Sequence, residues 1–195
     1  EQSLAKRRFI EQALVESGAR CLLDVGCNTG RFSLLAAQLG LSVVAIDSDA
    51  AVVGQLWSAA ATANLDIQPL LVDIARPSSA MGWRNQECAS FLDRARGHFD
   101  SLLMLGLVHH LLVNERAPFD VILDLAAELT TDVLLIEFIG IEDPMFQALM
   151  RDRQPFEEPL SLDDFERVCQ TRFRIVRSCA IPKSHRVIFF LRKKA

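Results

Sequence analysis

The sequence has no stretch of about 18 uncharged apolar residues, the length that a membrane-spanning helix needs, so we expect no membrane partner. Its opening segment, EQSLAKRRFIEQAL, is charged and helix-like, so we expect no signal peptide. No Cys-x-x-Cys pair occurs among the cysteines, and we interpret them as reduced thiols of a cytoplasmic protein. The first residue is Glu1 rather than methionine, which is consistent with part of a larger protein.

The sequence has no excess of positive charge. Its 21 Lys and Arg residues are outnumbered by 25 Asp and Glu residues, and the net charge is −4. A protein with this balance has no overall field that attracts nucleic acid, so we expect no nucleic-acid partner. Internal repeats and low-complexity tracts are also absent, and 195 residues suffice for one domain with a sizeable core. We therefore predict a single domain spanning 1–195.

Apolar periodicity predicts strands and helices that alternate along most of the chain. The predicted strands cover 20–25, 41–47, 67–73, 99–108 and 131–139. Helices are predicted within 1–18 and over 30–39, 49–64, 87–95, 114–129 and 161–170, with another beginning at Asp143 and Pro144. Two final apolar segments, RFRIVRSCA and HRVIFFLR, are joined by about five residues, which favours an antiparallel hairpin.

This alternation, with strands that are apolar on both faces, is typical of a doubly wound α/β fold with a parallel sheet. In such a sheet a ligand binds at the carboxyl ends of the strands, near the first strand. Polar side chains and glycines that follow a predicted strand are therefore the candidate site residues.

A glycine loop, LLDVGCNTGRFSLLAA, follows the first predicted strand. Gly26 lets the backbone turn sharply after the strand, and Gly30 removes side-chain bulk where the next helix begins. Asn28 stands where many such loops have a third glycine, and asparagine tolerates a left-handed backbone better than other residues. The loop lacks the G-x-G-x-x-G spacing, which disfavours an NAD-dependent enzyme.

Each of the first three predicted strands ends in an acid: Asp24, Asp47 and Asp73. Asp47 could accept hydrogen bonds from both hydroxyls of a ribose, and Asp73 could accept one from an adenine amine. Three carboxylates would repel the phosphates of a dinucleotide, whereas they would attract a nucleoside with a cationic tail. This pattern favours S-adenosylmethionine as the cofactor.

With LLDVGCNTGRFS, VVAIDSD, LLVDIARP and FDSLLMLGLVHHLL, the sequence resembles the class I S-adenosylmethionine-dependent methyltransferases over most of its length. The resemblance implies a Rossmann-like, seven-stranded, mostly parallel sheet of order 3-2-1-4-5-7-6, with the last strand antiparallel and helices on both faces. The segments DIARPSSAMGWRNQECASFLDRA, HHLLV and EFIGIEDPMFQ also resemble a narrower group that contains nodulation-associated proteins and methyltransferase domains of biosynthetic enzymes.

The resemblance also implies roles for individual residues at the cofactor. The loop residues would surround the methionine part, Asp47 and Ser48 the ribose, Asp73 and Ile74 the adenine, and the end of the fourth strand the methionine tail. The implied cofactor-binding residues are Asp24, Gly26, Cys27, Asn28, Gly30, Asp47, Ser48, Asp73, Ile74, Leu105 and Gly106.

His109 and His110 lie just beyond the fourth predicted strand and are the candidate catalytic residues. Histidine suits a general base near neutral pH. Neighbouring side chains point apart, so the two histidines cannot face the site equally. They lack the i, i+4 spacing of helical metal ligands, and a metal would need further ligands such as Glu137 or Asp143; we therefore predict no metal.

Residues 74–97 form a long irregular segment at the ligand edge, which is uncommon unless the segment is functional. We assign Trp83, Arg84 and Asn85 from it, together with Glu137 at the end of the fifth strand, to the acceptor side. Trp83 could cover the adenine or shape the acceptor pocket. Trp57, on the helix after the second strand, is expected in the core.

The predicted function is S-adenosylmethionine-dependent methyl transfer to oxygen, nitrogen or carbon of a small-molecule or carrier-bound acceptor. The reaction would be an in-line displacement, with a histidine as base where the nucleophile carries a proton. Two alternatives stay open at this point: a nucleic-acid methyltransferase, and a methyltransferase-fold domain that is non-catalytic or needs a partner.

Overall fold

The computed structural model describes residues 2–151, 153–154, 156 and 159–194, over which strands and helices alternate as the apolar periodicity predicts. The strands are β1 (Cys21–Val25), β2 (Ser42–Asp47), β3 (Ile67–Leu71), β4 (Phe99–Met104), β5 (Thr130–Ile139), β6 (Phe173–Ala180) and β7 (Arg186–Lys193). The α-helices are α1 (Gln2–Ser17), α2 (Arg31–Gln38), α3 (Ala50–Ala63), α4 (Phe91–Ala95), α5 (Val108–Asn114), α6 (Phe119–Leu129), α7 (Pro144–Met150) and α8 (Leu162–Arg172).

The strands form one sheet of order β3-β2-β1-β4-β5-β7-β6, which confirms the predicted topology. β1 pairs in parallel with β2 and β4, and β5 pairs in parallel with β4. β7 runs antiparallel to both β5 and β6, as the terminal hairpin requires. The carboxyl ends of the parallel strands therefore meet at one edge, beside β1.

Each face of the sheet is covered by its own hydrophobic cluster. In β1, Leu22 belongs to one cluster and Leu23 to the other, because successive side chains of a strand point to opposite faces. Buried residues of α1, α2 and α3 pack on the first face, and those of α4, α5, α6 and α8 pack on the second. Helices on both faces are confirmed.

The helix predicted over 114–129 begins later, as α6 at Phe119, and α5, which covers Val108–Asn114, was not predicted as a helix. The chain leaves α5 through Arg116, whose φ of 53° is left-handed. Pro118 then precedes α6 with an extended backbone. Proline disfavours a helical conformation in the residue before it, and this separates the two helices.

Three further boundaries or environments differ from expectation. β3 ends at Leu71, so Asp73 lies in the loop beyond it. The helix predicted from 87 begins at Phe91, because Ser90 caps it by accepting a hydrogen bond from the Asp93 amide at 3.1 Å. Trp57 was expected in the core, but α3 presents it to solvent with 63% of its surface exposed.

None of the helices in the described ranges combines the length and the apolar character needed to cross a bilayer.

Candidate functional site

The glycine loop after β1 turns on three left-handed residues: Gly26 with φ of 74°, Asn28 with 51° and Gly30 with 78°. A Cβ on Gly30 would overlap the side chain of Leu56 on α3, so glycine there permits close packing of the helix. Asn28 adopts the left-handed backbone that its residue type tolerates. Its side-chain oxygen accepts a hydrogen bond from the Thr29 amide at 2.7 Å, within the loop itself.

Asp47, the last residue of β2, holds the loop in place. One carboxylate oxygen accepts from the amide of Asn28 at 2.8 Å, and the other accepts from the amide of Asp49 at 3.0 Å. Asp49 in turn caps α3 by accepting from the Ala51 amide at 2.8 Å. The carboxylate of Asp47 is thereby fixed at the carboxyl edge of the sheet.

A cavity of about 340 Å³, here called the edge cavity, lies at this edge. It brings together eight of the residues that the sequence assigns to cofactor or catalysis. They are Gly26, Asn28, Asp47, Ser48, Asp73, Ile74, Gly106 and His110.

Asp24, Cys27, Gly30 and Leu105 do not line the edge cavity. Asp24 lies behind the loop, 4% exposed, and accepts a hydrogen bond from the Ser33 hydroxyl at 2.6 Å. Burial raises the pKa of Asp24 to about 6, although the Ser33 hydrogen bond opposes the rise. Burial also raises the pKa of Cys27 to about 12, so its thiol is a packing group.

A polar cluster at the Asp73 end of the edge cavity was not predicted from the sequence. Glu115, just after α5, lines the cavity, and its carboxylate accepts two hydrogen bonds from Arg76, at 2.6 and 3.2 Å. Arg76 also reaches Asp73 at 3.4 Å. Glu115 is distant in sequence from Asp73, and no local pattern connects them.

The two histidines lie in the first turn of α5 and face different spaces. His110 is half-buried and lines the edge cavity, and burial lowers its pKa. His109 is 4% exposed, and its Nδ1 has no hydrogen-bond partner within the part of the chain that the structure describes. Burial, reinforced by the charges of His110 and Arg186, lowers the pKa of His109 to about 4. The ring centroids of the two histidines are 4.3 Å apart.

His109 lines a second cavity of about 530 Å³, here called the phenylalanine cavity, on the other side of α5. Its walls are mainly apolar, and four phenylalanines contribute to them. These are Phe119, Phe138, Phe146 and Phe156. An apolar cavity with few polar groups is the usual form of a small-molecule site.

Glu137, at the end of β5, is buried and forms an ion pair with Lys6 of α1 at 2.6 Å. Both residues line a third space, of about 530 Å³, together with Asp143 and Arg186. Arg186 donates to both oxygens of Asp143, at 2.7 and 2.9 Å. Lys6 was not singled out from the sequence, because nothing local distinguishes it from the arginines that follow.

Trp83, Arg84 and Asn85 lie in a 3₁₀ turn inside an excursion closed by a bridge between Met81 and Cys88. All three are exposed, Trp83 by 77%, and none lines the cavities described above. Their assignment to the acceptor stays a prediction. Within the described ranges no three His, Cys, Asp or Glu side chains converge as metal ligands.

The edge cavity fits S-adenosylmethionine by the chemistry of its donors and acceptors. Asp47 and Asp73 supply carboxylates on adjacent strand ends. A Cβ on Gly26 would stand 3.3 Å from Leu107, so the glycine keeps the loop open beside the cavity. Behind the loop, Asp24 adds an acid that matches a cationic tail.

Comparisons with known proteins agree with this geometry. A family model described as "Methyltransferase domain" matches residues 23–123. Nodulation protein NoeA of Rhizobium meliloti (strain 1021) is 24% identical over 185 residues, which are 94% of this chain. The chain spans 38% of the length of that relative.

Solved structures share the fold. N-methyltransferase NodS from Bradyrhizobium japonicum WM9 superposes with a TM-score of 0.70 at 12% identity, covering 100% of this chain and 97% of the other. Magnesium protoporphyrin IX methyltransferase (ChlM) from Synechocystis PCC 6803, with bound SAM, gives a TM-score of 0.66 at 15% identity, with coverages of 98% and 81%. With its family match over more than half its length, the chain belongs to the class I S-adenosylmethionine-dependent methyltransferases.

Proposed function

We propose that this chain transfers the methyl group of S-adenosylmethionine to a small molecule by in-line displacement, within one domain spanning residues 1–195. The observation that carries the proposal is the pair of acids on the edge cavity, Asp47 at the end of β2 and Asp73 after β3. Their positions on adjacent strand ends suit the ribose hydroxyls and the adenine amine of one nucleoside.

Bound S-adenosylmethionine supplies an electrophilic methyl group on a positively charged sulfur. In this proposal Asp47 accepts hydrogen bonds from the ribose, and Asp73 accepts one from the adenine. Gly26 and Gly106 let the backbone approach the thioether side. Asp24 contributes a negative charge behind the glycine loop when it is ionised, above its pKa of about 6.

On the acceptor side, His110 is the proposed proton acceptor, because it lines the edge cavity and is less buried than His109. His109 stays neutral near pH 7, because burial lowers its pKa to about 4. A neutral imidazole at the cavity wall orients a nucleophile through a hydrogen bond. Much of the rate enhancement then comes from positioning.

The phenylalanine cavity supports a small, partly apolar acceptor, because its phenylalanines and the buried His109 stand beside charged residues such as Arg116 and Asp164. The names of two structural neighbours, a magnesium protoporphyrin IX methyltransferase and an N-methyltransferase, support a small molecule as well. These names support no choice between oxygen, nitrogen and carbon as the methylated atom.

Isothermal titration calorimetry with S-adenosylmethionine tests the proposal. We expect saturable binding to the folded chain, with strong weakening in Asp47→Ala. Absence of binding by a chain whose circular dichroism shows a folded α/β protein would overturn it.

A second candidate is a methyltransferase domain that binds the cofactor but needs a further segment for turnover. The observation that favours it is the coverage of NoeA, of which the chain spans 38%. Cofactor consumption with a panel of small acceptors, measured with and without the remaining segment of NoeA, separates the two. Turnover by the chain alone would exclude the second candidate.

A further inference from the structure

The ion pair between Lys6 and Glu137 leaves one buried carboxylate oxygen without a partner in the described residues. The Lys6 ammonium lies 2.6 Å from Oε2 of Glu137. Glu137 is 1% exposed, and among the described residues its other oxygen, Oε1, has no hydrogen-bond partner. Leaving a buried acceptor unsatisfied is costly, so a donor from a bound molecule is the simplest complement for this oxygen.

This pair stands next to the edge cavity. Oε2 of Glu137 is 3.8 Å from the place where a Cβ on Gly106 would lie, and Gly106 lines the cavity. The charge of Lys6 also opposes the rise that burial causes in the pKa of Asp24, which lies behind the glycine loop. Lys6 and Glu137 therefore lie on the side of the cavity where the thioether tail of the cofactor leaves the nucleoside.

That tail is a zwitterion, with an ammonium and a carboxylate on the same carbon. Asp24 complements only its positive charge, so the carboxylate needs a cation from elsewhere. Arg186 lies nearby, but its guanidinium already donates to both oxygens of Asp143. The Lys6 ammonium has three N–H donors, and Lys6 keeps 18% of its side chain exposed.

We propose that Lys6 and Glu137 together bind the amino-acid end of S-adenosylmethionine. Lys6 donates to the carboxylate of the tail while it keeps its bond to Oε2 of Glu137. Oε1 of Glu137 accepts from the ammonium. The two side chains thus match the opposite charges of the tail in one arrangement, and this inference rests on the proposed function.

The test compares two ligands by calorimetry. S-Adenosylhomocysteine has the zwitterionic tail, and 5′-methylthioadenosine has the same nucleoside thioether without it. We expect the wild type to prefer S-adenosylhomocysteine. Lys6→Met should weaken S-adenosylhomocysteine binding roughly 10- to 100-fold, the range for a lost charged hydrogen bond, and leave 5′-methylthioadenosine binding unchanged.

Two further variants keep the test decisive. Arg7→Met, the adjacent residue on α1, removes an exposed charge that pairs with Glu11 and should change neither affinity. If Lys6→Met fails to fold because Glu137 is left unpaired, the double variant Lys6→Met/Glu137→Gln removes both charges and should bind the two ligands about equally.

A wild type that binds both ligands equally, or variants that keep the wild-type preference, would overturn the inference while leaving the proposed function intact. A wild type that binds neither ligand would instead overturn the proposed function.

Discussion

Asp47 at the end of β2 accepts a hydrogen bond from the backbone amide of Asn28 at 2.8 Å, so the second strand directly supports the glycine loop of the first. The same carboxylate is the proposed ribose acceptor. A change at this one side chain is therefore expected to affect both the loop and the cofactor.

We predict that Asp47→Ala lowers the affinity for S-adenosylhomocysteine at least tenfold. The reason is the loss of charge-assisted hydrogen bonds, each of which contributes about 1.5–3 kcal/mol. Calorimetry measures the change. The matched control is Asp49→Ala, which removes the cap of α3, should cost about 1 kcal/mol of stability and should leave the affinity intact. Equal losses of affinity in both variants would contradict a specific role for Asp47.

Variants of Asn28 separate the effect of its backbone conformation on cofactor affinity from the effect of its side chain. We predict that Asn28→Gly binds S-adenosylhomocysteine nearly as well as the wild type, because glycine adopts the φ of 51° freely. Asn28→Val should bind worse, because a β-branched residue is strained there. A severe loss of affinity in Asn28→Gly would show that the side chain itself contacts the cofactor.

Gly30→Ala should destabilise the fold by about 2–4 kcal/mol, because the new methyl group overlaps Leu56 and the backbone stays left-handed. Gly40→Ala is the control, since Gly40 also has a positive φ, 93°, but nothing lies within 4 Å of a Cβ there. It should cost only about 1–2 kcal/mol. Urea denaturation measures both, and equal costs would exclude the Leu56 contact as the cause.

Asp24 should make stability depend on pH between about 4 and 6. Its pKa is raised to about 6 in the folded chain, from 3.8, so the folded state binds the proton more tightly than the unfolded state. Stability from this group is therefore present at low pH and is lost as pH rises through 6, by up to about 3 kcal/mol. In urea denaturation from pH 4 to 7, the free energy of unfolding of Asp24→Asn should rise relative to that of the wild type as pH rises. A constant difference would contradict the raised pKa.

His109 should remain neutral at pH 5, because burial lowers its pKa to about 4. NMR titration of the imidazole signals, assigned with a His109→Gln variant, measures this. Because the pKa of His109 is lower in the folded chain than in the unfolded chain, the neutral imidazole contributes stability above the unfolded pKa of about 6.5. This contribution is lost as pH falls toward 4. Titration of His109 near 6.5 would contradict its desolvation and would restore it as a candidate base.

The sheet could be predicted from the sequence, because each strand is a short apolar run with a turn signal or an acid at its end, as in β1 and β2. Asp47 and Asp73 could be placed at the cavity because carboxyl ends of parallel strands share an edge. Helix α5 was not predicted, because the apolar run of β4 continues through Leu105, Leu107 and Val108 into it. The start of α6 was placed too early, although Pro118 marks the boundary.

The contacts that were missed join distant parts of the chain. Lys6 reaches Glu137 across 131 positions, and Arg76 reaches Glu115 across 39. No local pattern reports such pairs, since they depend on how helices pack against the sheet. Trp57 was misplaced for a similar reason: its aromatic character suggested burial, whereas the burial of α3 falls on Leu56 and Ala60 instead.

His109 and His110 are consecutive in the chain, but their side chains line different cavities. Position 109 borders the phenylalanine cavity, and position 110 borders the edge cavity. A library that varies position 109 alone would therefore change the lining of the phenylalanine cavity and leave the lining of the edge cavity unchanged. Under the proposed function, single substitutions at position 109 would change the choice of acceptor and leave binding of the methyl donor unchanged.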